Sequence, residues 1–265
     1  MTALTLTCLA GIPLIHPGDD LAAILTKALV QTKIDLQDGD ILVLAQKIVS
    51  KAEGRMVHLS QVTSSQQADA LAVHAEKDPR LVELVLSESR EILRVRPGTI
   101  IVEHRLGFIC ANAGIDHSNV CPESECLPVS LQNANPEDWM LLLPQNPDAS
   151  AEAIRLGLEY TSGKRLGVLI IDSHGRAWRL GTVGVAIGLS GLPGLVDLRG
   201  APDLFGFHLK ITQVGAADEL AAAASLLMGQ AAEATPVVHV RGFPYPLRQA
   251  AMNELLRPKD QDLFR

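Results

Sequence analysis

Apolar and polar residues alternate through Leu4-Thr5-Leu6-Thr7-Cys8-Leu9, the pattern of a strand with one buried face. Gly11 to Ile15 is an irregular turn, and Asp19 or Asp20, after Pro17-Gly18, is placed to cap a helix. Leu21, Ile24, Leu25, Ala28 and Leu29 then recur at helical spacing and give that helix one inward face. Two runs are apolar without a break and read as strands buried on both faces: Ile41-Leu42-Val43-Leu44 and Val168-Leu169-Ile170-Ile171. Ser64 to Leu86 reads as helical, with Pro79 starting a second helix at its first turn. Arg94 to Gly98 closes that part. Thr99 to Val102 reads as a strand, His104 to Gly107 as a turn, and Phe108 to Cys110 as the returning strand of a hairpin.

Met140 to Leu143 is a short strand, followed by a turn and a helix carrying Ala153, Ile154, Leu156 and Leu158. Ala216 to Leu227 is an Ala/Leu helix that Gly229 caps, and Gln230 and Glu233 follow on a loop. Val237 to Val240 is a last strand and Gln249 to Leu255 a peripheral helix. Gly181, Gly184, Gly188, Gly191 and Gly194 predict an irregular segment in which backbone approaches backbone closely. Cys121 to Pro136, rich in Pro, Glu and Asn, reads as a surface loop or lid. Strands and helices alternate without a regular beat. The class is therefore mixed α/β, α+β in arrangement, rather than a doubly wound sheet.

Composition narrows this. With 265 residues the chain suits one large domain or two small ones. Aromatics make up only 3% of it, so the core is built from Ala, Val, Leu and Ile. No apolar run approaches the roughly 20 residues that span a bilayer. No basic region precedes the first apolar residues, which argues against a secretory signal. A formal charge of -7 argues against broad nucleic-acid binding. Cys8, Cys110, Cys121 and Cys126 are expected as reduced thiols in a cytoplasmic protein. Cys121 and Cys126 have a loose zinc spacing with His104 and His117 nearby, but a second close ligand pair is missing.

The candidate chemistry concentrates after the second apolar run. Asp172-Ser173 is expected to end that strand, with Gly175 permitting a turn and Arg176 and Arg179 beyond it. A carboxylate and two guanidinium groups this close suit a phosphate-bearing ligand held through a divalent cation. The alternative is a strand end, a tight turn and two surface arginines. Lys47 and Lys51 follow the first apolar run and, taken alone, read as the solvated face of a short helix. Asp116 sits in the loop Ala113 to Val120 beside Ser118 and Asn119; alone it reads as an Asx turn, and with Asp172 as half of a shared metal site. G-x-x-x-x-G-K-[ST] is absent, which excludes a P-loop, and no Rossmann pattern stands out.

Several stretches in one order carry a resemblance. Gly11-Ile12-Pro13-Leu14-Ile15 with Pro17-Gly18-Asp19-Asp20, Gln46 to Arg55, Ala113 to Val120, Asp172 to Arg179, and Ala217-Asp218-Glu219-Leu220-Ala221 with Met228-Gly229-Gln230 together resemble the coenzyme F-420-0:gamma-glutamyl ligase family. The likeness runs from about Leu9 to Gly242 and implies one ligase domain over the whole chain, 1–265, with a family-specific fold of mixed sheets and no further flavin-binding domain after Gly242. It implies an enzyme that adds L-glutamate, gamma-linked and in some members repeatedly, to the phospholactyl carboxylate of coenzyme F-420-0. GTP would be split to GDP and phosphate through an acyl phosphate. Magnesium or manganese, two ions, is implied, with potassium as a possible monovalent helper and a homodimer as the assembly.

Position by position, the resemblance makes Asp116, Asp172, Ser173 and Gln230 metal ligands. Ile12, Pro13, Leu14, Ile15, Gln46, Lys51, Asn119, Met228, Gly229, Gln230 and Glu233 fall at nucleotide-contacting positions or the loop beside them. Asp116 and Asp172 are then catalytic, and Arg176, with Arg179, goes to phosphate or the anionic precursor by charge. Gln46 stands where the family often has Ser or Thr, and His174 and Ala177 occupy variable positions. Two other readings belong beside this one: an amide ligase with another acceptor or amino acid, and a carrier that binds nucleotide or deazaflavin without turnover.

Overall fold

The computed structural model describes residues 3–120, 131 and 135–263. In chain order the strands are β1 (Thr5–Cys8), β2 (Ile41–Ala45), β3 (Met56–His58), β4 (Ser89–Arg96), β5 (Thr99–His104), β6 (Ile109–Ala111), β7 (Trp139–Leu141), β8 (Gly167–Arg176), β9 (Arg179–Ser190), β10 (Val196–Asp197), β11 (Gln213–Val214) and β12 (Val237–Arg241). The α-helices are α1 (Leu21–Thr32), α2 (Gln46–Ala52), α3 (Gln66–Ala75), α4 (Pro79–Ser87), α5 (Pro147–Ser162) and α6 (Ala216–Met228).

The largest sheet has the order β1-β12-β2-β8-β9. Its one parallel pair is β2 with β8, in register from Ile41 opposite Gly167 to Ala45 opposite Ile171. Successive side chains of a strand point to opposite faces, and both faces of this pair are covered. Leu42, Leu44, Val168 and Ile170 pack with Leu21 and Leu25 of α1 and Ile154 and Leu158 of α5. Ile41, Val43, Leu169 and Ile171 pack with Leu220, Ala221 and Ala224 of α6. Burying each of these large side chains stabilises the fold by about 2 kcal/mol. That is why two continuous apolar runs become the centre of the sheet. Smaller sheets flank it: β4-β5-β6, β3-β7 and β10-β11. The mixed α/β class holds, with antiparallel pairs outnumbering the single parallel one.

Local signals set several boundaries. Asp20 caps α1 by accepting the Ala23 N–H at 3.1 Å. Pro79 opens α4, and Asn146 caps α5 through the Ala149 N–H. The Phe108 to Cys110 hairpin forms as β6 against β5.

Four expectations are corrected. β8 does not end at Asp172-Ser173 but runs to Arg176, because β9 pairs with it out to Arg176 opposite Arg179, with an irregularity after Gly175. The turn therefore falls at Ala177-Trp178, where Trp178 has φ 64°, and not at Gly175. The glycine-rich stretch is largely strand β9. Its glycines do admit close approach, since a Cβ on Gly184 would lie 2.6 Å from the Ala221 carbonyl oxygen and one on Gly188 2.5 Å from the Pro147 carbonyl carbon. The bulged, mostly exposed strand β4 was hidden by its lack of a clean alternation. Gln249 to Leu255 is not an α-helix; it holds one 3-10 turn, Met252–Glu254. The loop reading of Cys121 to Pro136 lies largely outside the described residues.

Candidate active site

Parallel pairing puts the carboxyl ends of β2 and β8 side by side, the edge at which open α/β sheets place ligands. One residue beyond the paired Ala45 and Ile171 stand Gln46, first residue of α2, and Asp172. The loops Ile12 to Ile15, Asn112 to Asn119 and Gly229 to Pro236 close round them. The result is a cleft of about 650 Å³, within the usual size of small-ligand sites.

Asp116 is set into this cleft by backbone. Its N–H donates to the Leu141 carbonyl and its own carbonyl accepts from Leu141, both at 2.9 Å. The approach to it is a left-handed turn, with φ of 49°, 53° and 64° at Asn112, Ala113 and Gly114. Such conformations cost energy in non-glycine residues and tend to occur where a site needs them. The Asp116 Oδ2 accepts from Gln46 Nε2 at 2.5 Å and lies 3.2 Å from Lys47 Nζ. Gln46 is buried, and its Oε1 accepts from Ser50 Oγ at 2.8 Å, so its amide has one workable orientation. Lys47 also donates to the Ser118 carbonyl at 2.8 Å. Burial pushes the Asp116 carboxyl up, and the negative charge of Asp172 adds to it; together they hold it at about 6 despite Lys47 and Gln46. The two carboxylates therefore feel each other across the cleft.

Asp172 Oδ2 lies 3.0 Å from His174 Nε2. Ser173 Oγ donates to Gln230 Oε1 at 2.9 Å, and Gln230 Nε2 donates to Ser225 Oγ at 3.1 Å. Asn119 Nδ2 donates to the Ala231 carbonyl at 2.9 Å and ties two of the loops together. Glu233 turns back on its own loop and accepts the Ala231 N–H.

The cleft thus gathers Ile12, Pro13, Leu14, Ile15, Gln46, Lys51, Asp116, Asn119, Asp172, Ser173, Met228, Gly229, Gln230 and Glu233. It does not gather Arg176: the lining along β8 stops at Gly175, and Arg176 Nη2 donates to the Leu180 carbonyl at 3.1 Å. Arg179 is exposed at the tip of the same hairpin. Lys47, Ser118 and His174 line the cleft and were missed as site residues. Lys47 carried one signal, its place directly after an apolar strand. His174 carried another, its two-residue spacing from Asp172 on a strand. Among the described residues no three His, Cys, Asp or Glu side chains cluster to hold a metal. His104 is buried beside Glu88, and His117 Nε2 lies 2.6 Å from the Glu137 carbonyl; Cys121 and Cys126 fall outside the described residues.

Two carboxylates, a hydroxyl and an amide oxygen are the donor types of a hard cation. Magnesium is commonly held by one or two carboxylates, with phosphate oxygens and water completing its shell. The mutual repulsion of Asp116 and Asp172 is what such a cation relieves, so the residues present fit it. Among the described residues no helix is long and apolar enough to cross a membrane.

Comparison with known proteins adds to this geometry. The family model for F420-0:Gamma-glutamyl ligase matches residues 11–242. A coenzyme F420:L-glutamate ligase from Methanothermobacter thermautotrophicus is 46% identical over 258 residues, 96% of each chain. One from Methanococcus maripaludis is 42% identical over 254 residues, 96% of this chain and 94% of the relative. One from Methanocaldococcus jannaschii is 43% identical over 230 residues, 87% of this chain and 86% of the relative.

Proposed function

The chain belongs to the F420-0:gamma-glutamyl ligase family, and from that membership and the cleft we propose how it works. It is a carbon–nitrogen ligase of the coenzyme F420:L-glutamate type. In our reading the acceptor is the phospholactyl carboxylate of coenzyme F-420-0 and the energy source is GTP. The whole chain acts as one ligase domain in the cytoplasm.

A free carboxylate resists attack by an amine because its leaving group would be oxide. Attack of that carboxylate on the terminal phosphorus of GTP releases GDP and forms an acyl phosphate. The amino group of glutamate then adds to the acyl carbon, phosphate leaves, and the amine loses a proton. The work left to protein is positioning and charge neutralisation. Asp116, Asp172, Ser173 and Gln230 would hold the divalent metal. Magnesium or manganese held by them would supply charge neutralisation at the phosphate oxygens. Potassium is the monovalent ion to try as a helper.

The chain's own residues divide the rest. Ile12 to Ile15 and Met228 to Thr235 enclose the nucleotide and keep water out. Lys47 and Lys51, which line the cleft beside the carboxyl ends of the parallel strands, are assigned to phosphate oxygens. Gln46 fixes Asp116, and Asn119 holds the nucleotide loop at Ala231. Arg176 and Arg179, beyond the last cleft-lining residue of β8, are assigned by charge to the anionic precursor. A homodimer belongs to the same reading, and Leu204, Phe205 and Ile211, almost wholly exposed, offer apolar surface for it; sedimentation velocity measures that directly.

One observation carries the proposal: Asp116 and Asp172, far apart in sequence, line one cleft, where the charge of Asp172 adds to burial in making the Asp116 carboxyl a weaker acid. The test is GDP release by purified protein with metal, GTP and glutamate. Release that requires the phospholactyl deazaflavin, with a matching mass gain on it, is the expected result. GTP turnover with a different acceptor or amino acid would redirect the specificity, and binding without any GDP release would sink the ligase mechanism.

A further inference from the structure

Asp172 and His174 are two residues apart on β8, so their side chains leave the same face of the strand. Both side chains are 12% exposed, and His174 Nε2 lies 3.0 Å from Asp172 Oδ2. A carboxylate only accepts, so this nitrogen carries the proton and donates it, which also removes it as a direct metal ligand. The imidazole packs on Phe108, with ring centroids 5.4 Å apart and planes tilted by 49°. Phe108 stacks in turn on His104 at 5.1 Å with planes 4° apart.

That backing is rigid. His104 is wholly buried, and its Nδ1 accepts the Leu106 N–H at 3.1 Å. Its Nε2 faces Glu88 Oε2 at 3.6 Å. Glu88 is itself pinned by Arg55 and Arg105, each at 2.7 Å. The Arg55 Nε also holds the Leu143 carbonyl at 2.9 Å, so the cluster is anchored to the chain behind β7. A continuous stack therefore runs from a buried ion cluster to one oxygen of Asp172.

We propose that His174 is a positioning residue for Asp172: its Nε2–H holds Oδ2, Phe108 holds the ring, and Oδ1 is left for the cation. This rests on the reading of Asp172 as a metal ligand. Groups that orient a metal-binding side chain typically control affinity by about 10- to 100-fold when removed.

Reach separates this role from mere packing. In His174→Gln the amide nitrogen comes close to the place of Nε2. In His174→Asn it superposes on Nδ1 and cannot reach Oδ2. The full chain is titrated with Mn²⁺ in the presence of GDP, reading free Mn²⁺ by electron paramagnetic resonance, with thermal melts as the folding check. His174→Asn is expected to weaken Mn²⁺ binding about 10- to 100-fold, with His174→Gln within about threefold of the parent. In turnover, His174→Asn is expected to raise the metal concentration for half-maximal rate while kcat at saturating metal recovers. Parent-like binding by His174→Asn, or equal weakening by both variants, overturns the proposal. Asp172→Asn tells the two failures apart. If it binds Mn²⁺ like the parent, the metal reading has failed and the positioning role with it. If it loses binding and His174→Asn does not, only the positioning role has failed.

Discussion

Gln46 and Asp116, 70 positions apart, are joined by a hydrogen bond of 2.5 Å from amide to carboxylate. Ser50 occupies the other end of the same amide, so the donor cannot be exchanged for the acceptor by a flip. Gln46→Leu keeps similar bulk and removes both bonds. It is expected to cost about 1–3 kcal/mol in urea unfolding and to lower turnover, because Asp116 loses the group that fixes it. An unchanged midpoint and an unchanged rate would show that the bond orients nothing.

Asp116→Asn and Asp172→Asn each remove one negative charge from the cleft. Loss of a metal-binding carboxylate forfeits several kcal/mol of charge stabilisation, so kcat/KM is expected to fall at least about 100-fold in each. The fold should not suffer. Asp116 is held at about 6 by burial and by Asp172, so its ionised form is a cost to the metal-free protein. Asp116→Asn should therefore melt no lower than the parent in metal-free buffer, and a lower melt would contradict that electrostatic account.

Glu88 predicts acid sensitivity far from the chemistry. Burial alone would push its carboxyl up, but His104, Arg105 and Arg55 outweigh burial and hold it at about 2 instead of 4.5. A depressed carboxyl stabilises the fold above its unfolded value, and that contribution fades as pH falls from about 4.5 towards 2. The shift corresponds to about 3 kcal/mol. Urea unfolding of the parent and Glu88→Gln should differ most at pH 7 and converge as pH approaches 2. A gap that does not narrow would mean that charge is not the source.

Gly188→Ala tests the close packing of β9. A Cβ there would meet the Pro147 carbonyl carbon at 2.5 Å and its oxygen at 2.7 Å, and this is backbone that cannot swing aside. Overpacking of this kind typically costs about 1–3 kcal/mol. Equilibrium denaturation measures it. Gly175→Ala is the control, since nothing lies within 4 Å of a Cβ there and its φ is ordinary.

These cases also show what could be read from sequence. The two uninterrupted apolar runs announced β2 and β8, and their burial on both faces followed from composition alone. The partner of each did not, because pairing depends on β12 arriving from the far end of the chain. Asp172 and Ser173 drew notice by following an unbroken apolar run, though they lie within β8 rather than past its end, and Gln46 drew notice only through the family resemblance; the structure brings all three to one cleft. Lys47 was misjudged because a lysine on a helix face looks the same whether it meets water or a carboxylate; only the loop carrying Asp116 decides. Gly184 and Gly188 of β9 signalled close approach correctly and irregularity wrongly, since a strand crowded by two helices needs small residues as much as a loop does, whereas nothing lies within 4 Å of a Cβ on Gly181. Arg176 was assigned by charge, and charge does not say that β8 carries it past the last cleft-lining residue, with Nη2 on the Leu180 carbonyl.

The sheet order has a consequence for synthesis. β12, spanning Val237–Arg241, lies between β1 and β2 and bonds to both. While the ribosome is still making the first nine-tenths of the chain, the amino-terminal strand has no neighbour to join and one flank of Ile41–Ala45 stays bare. Unpaired strand edges of that kind invite association with other nascent chains. Truncation ahead of Val237 would leave the same gap for good, and with it a product prone to clump rather than a smaller working enzyme.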